Sequence, residues 1–315
     1  DRVDRVAGAG WFGTTEYVSN HLRRLFANTE WKITPNWILN AGAMYERNTI
    51  TGGELSPRLA LNHHLTRHHT LRAGVTRAYR TPSLYEQRVN SAYRFPDGAA
   101  LDQQSKSTVV LTPEQITTYE LGYNGEFPVR GLAFDIRVYR DTIRDIIAAP
   151  ADTSIPDIAL NGAYTLRNDG FAEVSGADLQ LQYRSSPRTR FILGYGHANQ
   201  EGRTLTVVSP VTHGSTLHST PTETTNLMVI HRFPNGFEGS ASYRIVTDME
   251  FLGGGTERTG TYTTGDVRIA KKFRAGEVRG AFAVAVQNIT GAHFDFDDAA
   301  MLDTRALFSL TLEFR

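Results

Sequence analysis

Apolar and polar residues alternate along this chain with a period of two. At the C-terminus, Phe308, Leu310, Leu312 and Phe314 are separated by Ser309, Thr311 and Glu313. Upstream, Val278, Phe282, Val284 and Val286 alternate with Arg279, Ala281, Ala283 and Gln287, and Ala177, Leu179, Leu181 and Tyr183 with Asp178, Gln180, Gln182 and Arg184. Leu132, Phe134, Ile136 and Val138 alternate with Ala133, Asp135, Arg137 and Tyr139, and Tyr119, Leu121 and Tyr123 with Glu120, Gly122 and Asn124. Side chains on a strand point to opposite faces in turn, whereas a helix repeats every ~3.6 residues. The pattern predicts an all-β chain of about thirteen strands, with ends uncertain by a few residues. They cover 21–33, 37–48, 56–66, 70–80, 115–126, 131–148, 164–185, 189–200, 222–233, 237–251, 261–273, 278–290 and 303–315. Many are too long for a soluble sheet and suit a tilted transmembrane strand of about 9–11 residues.

The connections fall into two classes that alternate. The short ones lie at 34–36, 66–69, 128–130, 186–188, 234–236 and 274–277, and most carry Pro, Asn or Gly. The long ones are 49–55, 81–114, 149–163, 201–221, 252–260 and 291–302. Short periplasmic turns and long extracellular loops are the asymmetry of an outer-membrane barrel. Aromatic residues flank the short turns: Trp31, Trp37, Tyr123, Phe127, Tyr183, Phe191, Phe233, Phe237 and Phe273, with Phe314 at the chain end. In a barrel they form a ring at the periplasmic interface. The expected fold is therefore a transmembrane antiparallel β-barrel, and the expected location the outer membrane of a Gram-negative bacterium. With the last strand running toward the periplasm, residues 1–20 begin as an extracellular loop or a truncated strand. An odd number of strands cannot close antiparallel, so either strands precede residue 1 or one more lies near residues 1–16.

Composition refines this without overturning it. Acidic and basic residues number 33 each, which gives no field to attract nucleic acid. The 315-residue chain has no cysteine, hence no disulfide framework or thiolate metal site. With 28 Gly, 13 Tyr and 16 Phe it suits twisted strands. Mean hydropathy is −0.33 and no apolar run is long enough for a transmembrane helix, as alternating barrel strands require. Asp1 to Arg5 is charged and resembles no signal peptide, as expected of a mature chain or a fragment.

Several segments, in order, resemble the barrel of TonB-dependent outer-membrane receptors. Leu55-Ser56-Pro57-Arg58-Leu59-Ala60-Leu61 is similar to a segment that precedes one of their hairpins. Thr76 to Glu86, with Arg80, Pro82, Leu84 and Glu86, is similar to their FR-x-P-x-L-x-E strand end. Thr118-Tyr119-Glu120-Leu121-Gly122-Tyr123 resembles the next strand, and Val174-Ser175-Gly176-Ala177-Asp178-Leu179 resembles V-x-G-x-E-x with Asp for Glu. Gln287-Asn288-Ile289-Thr290-Gly291 is similar to the exit of the penultimate strand. The resemblance covers about residues 20–315 and implies the C-terminal part of a barrel of about 22 strands. It makes 1–20 an extracellular loop or truncated strand and 21–315 the receptor-like barrel.

It also implies a function: energised uptake of a scarce nutrient, first a ferric siderophore, then cobalamin or another. The implied partners are outer-membrane lipid, the barrel-assembly machinery, the small-molecule ligand, and TonB acting through a plug domain that this chain lacks. Arg315 after Phe314 departs from the family's aromatic ending. No enzyme activity, cofactor or nucleic-acid partner is expected. A passive pore is the alternative, and an outer-membrane barrel enzyme a more distant one.

Among candidate sites, loop 81–114 stands first. Tyr85, Arg88, Tyr93 and Arg94, with Phe95, suit a planar anionic or catecholate-like ligand through stacking and charged hydrogen bonds. Gly8-Ala9-Gly10-Trp11-Phe12-Gly13 matches G-x-G-x-x-G, but neither the strand nor the helix of a dinucleotide site is visible around it. His63, His64, His68 and His69 crowd one hairpin, yet strand periodicity sends His63 and His64 to opposite faces, so no metal site is expected. Asp295, Asp297 and Asp298 form an acidic tip without EF-hand spacing. An enzyme would need a nucleophile beside its base, whereas His197 shares a face with Leu193 and Tyr195 and Ser242 falls on the opposite one.

Overall fold

The computed structural model describes residues 2–12, 14–156, 158–160, 162–203, 205–209, 212–215, 219–250, 258–294 and 301–314. Five strands follow one another: β1 (Arg2–Gly8), β2 (Thr14–Thr34), β3 (Trp37–Asn48), β4 (Gly52–Thr66) and β5 (His69–Arg80). The short strands β6 (Asn90–Arg94) and β7 (Ala100–Lys106) precede β8 (Glu114–Phe127) and β9 (Leu132–Ala148). Another short pair, β10 (Ala151–Asp152) and β11 (Ala163–Thr165), leads to β12 (Arg167–Ser186) and β13 (Thr189–Arg203). Then come β14 (Leu205–Ser209), β15 (Thr212–Ser215), β16 (Glu223–Arg232) and β17 (Phe237–Val246). The chain finishes with β18 (Met249–Glu250), β19 (Arg258–Thr259), β20 (Tyr262–Ala275), β21 (Val278–Gln287), β22 (His293–Phe294), β23 (Met301–Leu302) and β24 (Arg305–Glu313).

Fourteen of these make one antiparallel sheet in the order β1-β2-β3-β4-β5-β8-β9-β12-β13-β16-β17-β20-β21-β24. Each wall strand pairs with the next wall strand along the chain, so the wall is a continuous meander. All thirteen predicted strands are present, and β1 is the additional one. It occupies residues expected as a loop or truncated strand, with Arg2 opposite Leu22 and Gly8 opposite Thr14. The charged start of the chain gives no period-two signal, so alternation could not reveal it. The predicted strand 237–251 stops at Val246, and 278–290 stops at Gln287 because Asn288 turns the backbone with φ 55°.

Local chemistry fixes the short turns. Thr34 Oγ1 accepts from the amides of Asn36 and Trp37, Thr66 Oγ1 from His68, and Ser186 Oγ from Arg188 and Thr189. A hydroxyl side chain thus closes each of these turns. After Pro128-Val129-Arg130 the chain needs φ 64° at Gly131, where a Cβ would sit 2.4 Å from the Arg184 carbonyl oxygen. Only glycine meets both demands.

The register sorts residues onto two faces. One carries Leu59, Leu71, Leu121, Val138, Leu227, Ile269, Phe282, Phe308 and Leu310, all exposed. A continuous apolar belt of this kind belongs against hydrocarbon. The aromatic residues beside the short turns edge it below, as predicted. An upper edge of tyrosines emerges from the register: Tyr45 and Tyr119 stand eight residues from the strand ends Trp37 and Phe127, and Tyr195 and Tyr243 six from Thr189 and Phe237. At ~3.3 Å per residue and a tilt of ~40°, the two rows lie roughly 15–20 Å apart. The opposite face carries Asn40, Glu46, Arg72, Glu120, Asp135, Arg137 and Asp178, the polar side expected to line a lumen.

Candidate functional site

The long connection 81–114 is a folded platform. Its base is the segment with Arg80, Pro82, Leu84 and Glu86. Ser83 caps a short helix, α1 (Leu84–Arg88), in a reciprocal box: its hydroxyl accepts from the Glu86 amide at 3.2 Å, and the Glu86 carboxylate accepts from the Ser83 amide at 2.7 Å. Arg80 donates twice to the same carboxylate, at 3.1 and 2.9 Å, and once to Glu114 at the start of β8. Burial works against the charge on Glu86, yet the bonds from Arg80 and Ser83 prevail and hold its carboxyl below the usual value. Leu84 and Pro82 are buried beneath the helix. Each residue of that segment thus has a mechanical role.

Two side-chain amides hold the rest by imitating backbone. Gln87 donates to the Leu111 carbonyl at 2.7 Å and accepts from its amide at 3.2 Å. Asn168 accepts from the Thr112 amide at 2.8 Å and donates to the Thr112 carbonyl at 2.9 Å. Between these grips, Val89, Leu111 and Leu166 form a small buried core against Ile147 and Ala149. Above it β6, β7, β11 and β10 make a four-stranded sheet in which β7 and β11 run parallel. The two grips and the β7–β11 pairing join residues far apart in sequence and the strands are short, which is why periodicity showed only a loop.

The four predicted ligand residues all lie on this platform. Tyr85 and Arg88 are on α1, exposed, and Arg88 makes no hydrogen bond or ion pair among the described residues. Tyr93 is 66 % exposed on β6. Arg94 is committed to its own hairpin, donating to the Gly98 carbonyl at 3.2 Å and to Asn90 Oδ1 at 3.1 Å. Trp11 joins Tyr85 edge to face, with ring centroids 5.8 Å apart, and the helical turn Ala9–Phe12 packs on β6. Trp11 lies in the segment 1–20, expected as an extracellular loop or truncated strand, and was not among the candidate ligand residues. The G-x-G-x-x-G motif does have a strand before it and a single four-residue helical turn within it, contrary to expectation. Because β1 returns antiparallel into β2, the unit is a hairpin and cannot cradle a dinucleotide as a βαβ turn does.

Below the platform the polar face is cross-linked strand to strand. Arg72 (β5) donates to both oxygens of Asp135 (β9) at 3.1 and 2.8 Å across β8, and Asn124 donates to Asp135 at 3.2 Å. Arg137 (β9) donates to Asp178 (β12) at 3.1 and 2.7 Å, approaches Glu120 (β8) at 3.7 Å and lies 4.7 Å from the centroid of the Tyr139 ring. Glycines make room: a Cβ on Gly122 would come within 2.3 Å of Arg72 Nε, and one on Gly176 within 2.5 Å of the Tyr139 hydroxyl. The charged and glycine positions of the Thr118–Tyr123 and Val174–Leu179 segments are this ladder.

The remaining candidates separate. His63 stacks on Trp37 at 3.9 Å, His64 bonds Thr70 at 2.9 Å, His68 lies 3.8 Å from Glu126, and His69 bonds the Tyr123 hydroxyl at 2.8 Å. Among the described residues no group of three or more His, Asp or Glu side chains could hold a metal ion. Asp295, Asp297 and Asp298 lie outside the described residues. Ser242 lies 3.5 Å from Asp266 on the polar face, while His197 approaches Glu223 at 3.5 Å on the opposite face, so no nucleophile meets a base there.

An apolar belt with aromatic margins, a cross-linked polar face and folded loops at one end define a membrane β-barrel. The sequence profile described as "TonB dependent receptor-like, beta-barrel" matches residues 2–289, and the chain belongs to that family. Family and barrel fold imply a place in the outer membrane. It is 33 % identical over 127 residues to a ferric enterobactin receptor of Pseudomonas aeruginosa, a match covering 38 % of this chain and 17 % of that protein. It is 29 % identical over 85 residues to the ferrienterobactin receptor of Escherichia coli, covering 27 % of this chain and 11 % of that one. Among solved structures, the ferric enterobactin receptor of P. aeruginosa superposes with a TM-score of 0.72 at 18 % identity, over 95 % of this chain and 46 % of that one. The siderophore receptor PirA of P. aeruginosa gives 0.72 at 15 % identity, over 98 % and 52 %. The chain thus spans about half the length of the solved receptors.

Proposed function

We propose that these residues are wall and ligand-gathering loops of a TonB-dependent outer-membrane receptor that captures a ferric siderophore of the catecholate class. The observation that carries this reading is the platform. It is braced at its base by Arg80, Gln87 and Asn168 and presents exposed Trp11, Tyr85 and Tyr93 beside an uncommitted Arg88. Aromatic faces and a free guanidinium complement flat, electron-rich, anionic rings. The two curated relatives, both named as enterobactin receptors, support the class of ligand. The long loops then face outward and the short turns the periplasm. Coupling to TonB runs through a plug segment outside these 315 residues, the belt meets outer-membrane lipid, and the barrel-assembly machinery inserts the wall.

Binding of a ferric tris-catecholate to the full-length receptor, read by quenching of tryptophan fluorescence, tests this. Tyr85→Ala and Arg88→Ala should each weaken binding about tenfold, near 1.4 kcal/mol, with Trp11→Phe reducing the quench itself. Unchanged affinity in a Tyr85→Ala/Arg88→Ala double variant would remove this platform from the binding site.

A further inference from the structure

The polar face of the wall is divided by charge. From β5 to β12 the carboxylates of Glu120, Asp135, Asp141 and Asp178 outnumber the guanidiniums of Arg72 and Arg137. From β13 to β20 the balance reverses. Ser242 and Asp266 face each other on this side of the sheet, so Ser240, Arg244 and Arg268, two residues away along the same strands, share it. Gly196 lies opposite Asp178, so Arg190 on β13 shares it too. Arg190, Ile230, Ser240 and Arg268 form one lateral row of paired residues across β13, β16, β17 and β20. Arg244 stands one stretch of four residues above Ser240 on β17. At ~4.8 Å between strands and ~3.3 Å per residue, the three arginines mark a triangle with sides of roughly 14–16 Å, floored by Met228, Ile230 and Ser242.

The charge of this group is unspent. Arg244 and Arg268 are exposed, Arg190 is half-buried, and none of the three makes a hydrogen bond or ion pair among the described residues. Asp266, the carboxylate beside them, is taken by the Asn288 amide at 2.9 Å and by Ser242 at 3.5 Å. Nearer the turns, Arg232 and Lys272 share Glu238 at 3.3 and 4.0 Å. Arg58 on β4 is unpaired as well, but the carboxylates of the ladder stand between it and this group. The surface is also open. Arg72 and Tyr139 fill the space over Gly122 and Gly176, whereas a Cβ on Gly194, in the row of Arg244, would meet nothing nearer than Asn226 at 3.8 Å. Unpaired like charges on one wall repel until an anion lies among them, and each guanidinium offers such an anion two parallel N–H donors. We propose that Arg190, Arg244 and Arg268 form a second anion site, inside the lumen, that receives the negatively charged cargo between the platform and the periplasm. The site rests on the reading of the protein as a receptor for a ferric catecholate, and it sets the path of that cargo along β13 to β20, away from the ladder.

Capture and import are measured separately on the full-length receptor. Capture is read by tryptophan quenching with a ferric tris-catecholate, and import by accumulation of the same complex, labelled with radioactive iron, in cells. Arg190→Gln/Arg244→Gln/Arg268→Gln should leave capture unchanged and slow import about tenfold. The corresponding triple lysine variant, which keeps the charge, should import at close to the wild-type rate. Ser240→Glu, which sets a carboxylate between Arg190 and Arg268, should slow import to a similar degree and decides the matter if the triple glutamine variant does not assemble. Unchanged import in both the glutamine and the glutamate variants would overturn the site, as would capture that weakens in step with import. Cells of the glutamine variant that admit a large, normally excluded antibiotic would show that the arginines hold an acidic plug segment instead. If the wild type neither captures nor imports a ferric tris-catecholate, the receptor reading fails on its own, and the site is then judged by conductance in a planar bilayer with the plug loosened by urea. A preference for anions that the glutamine variant loses would support the site, and a wild type without that preference would overturn it.

Discussion

Glu86 joins the platform's helix to the wall. It closes the cap of α1, receives both Arg80 donors and ties the helix to the end of β5. Glu86→Gln keeps the shape but removes the charge. Because Arg80 is half exposed, solvent screening limits the loss to about 1–2 kcal/mol of local stability. Hydrogen exchange should show faster amides over 84–89 with the wall unaffected, and a wall that loosens equally would refute a local role. The pH response has a definite sign. The folded-state pKa of Glu86 lies below its unfolded one, so its contribution is complete above the ordinary carboxylate range and fades as pH falls through the depressed value. The platform should therefore loosen in acid and be indifferent between pH 6 and 8. Sequence reading found Arg80, Pro82, Leu84 and Glu86 through resemblance alone. That the arginine and the glutamate touch required the turn between them, which no spacing rule supplies.

At the scale of the element, the strands of the wall were legible because a strand between lipid and water needs only two kinds of residue in alternation. Leu121, Val138 and Leu310 announce their face wherever they stand. The ladder on the other face was half legible: Arg72, Glu120, Arg137 and Asp178 read as polar, but their partners lie one or two strands away. Gly176 shows what the alternation hides. A Cβ there would meet the His197 carbonyl oxygen and the Tyr139 hydroxyl, each at 2.5 Å. The backbone contact cannot be relieved by a side-chain rotation, so Gly176→Ala should cost about 1–3 kcal/mol. Thermal loss of heat-modifiable migration on a gel is the measurement, and a variant as stable as wild type would show that β12 and β13 have slack. The loop strands were illegible for a different reason. β6, β7, β10 and β11 are short, and the connection between β7 and β8 is held by Gln87 and Asn168 through contacts 24 and 56 residues apart. β1 was signalled only by the odd strand count, as one of two alternatives, because its charges mask any period.

The whole molecule is a meander with folded loops at one end, and the absence of cysteine makes its orientation simple to read. Val110, 81 % exposed in the platform, and Val129, fully exposed in the turn between β8 and β9, sit at opposite ends of the wall. In intact cells a membrane-impermeant maleimide should label Val110→Cys and leave Val129→Cys unlabelled until the membrane is opened. The reverse pattern would turn the wall upside down and with it the assignment of the ligand platform. The wall also has margins. β1 pairs with β2 only as far as Leu22, so from Arg23 to Thr34 that strand has β3 on one side and no partner on the other among the described residues, and β24 ends the opposite side of the sheet. Rows of open amides and carbonyls are templates for any strand of matching length. Made in isolation, this polypeptide should stack margin to margin into insoluble ribbons. A synthetic strand that matches either margin should pair there and suppress that stacking, which a loss of light scattering would register.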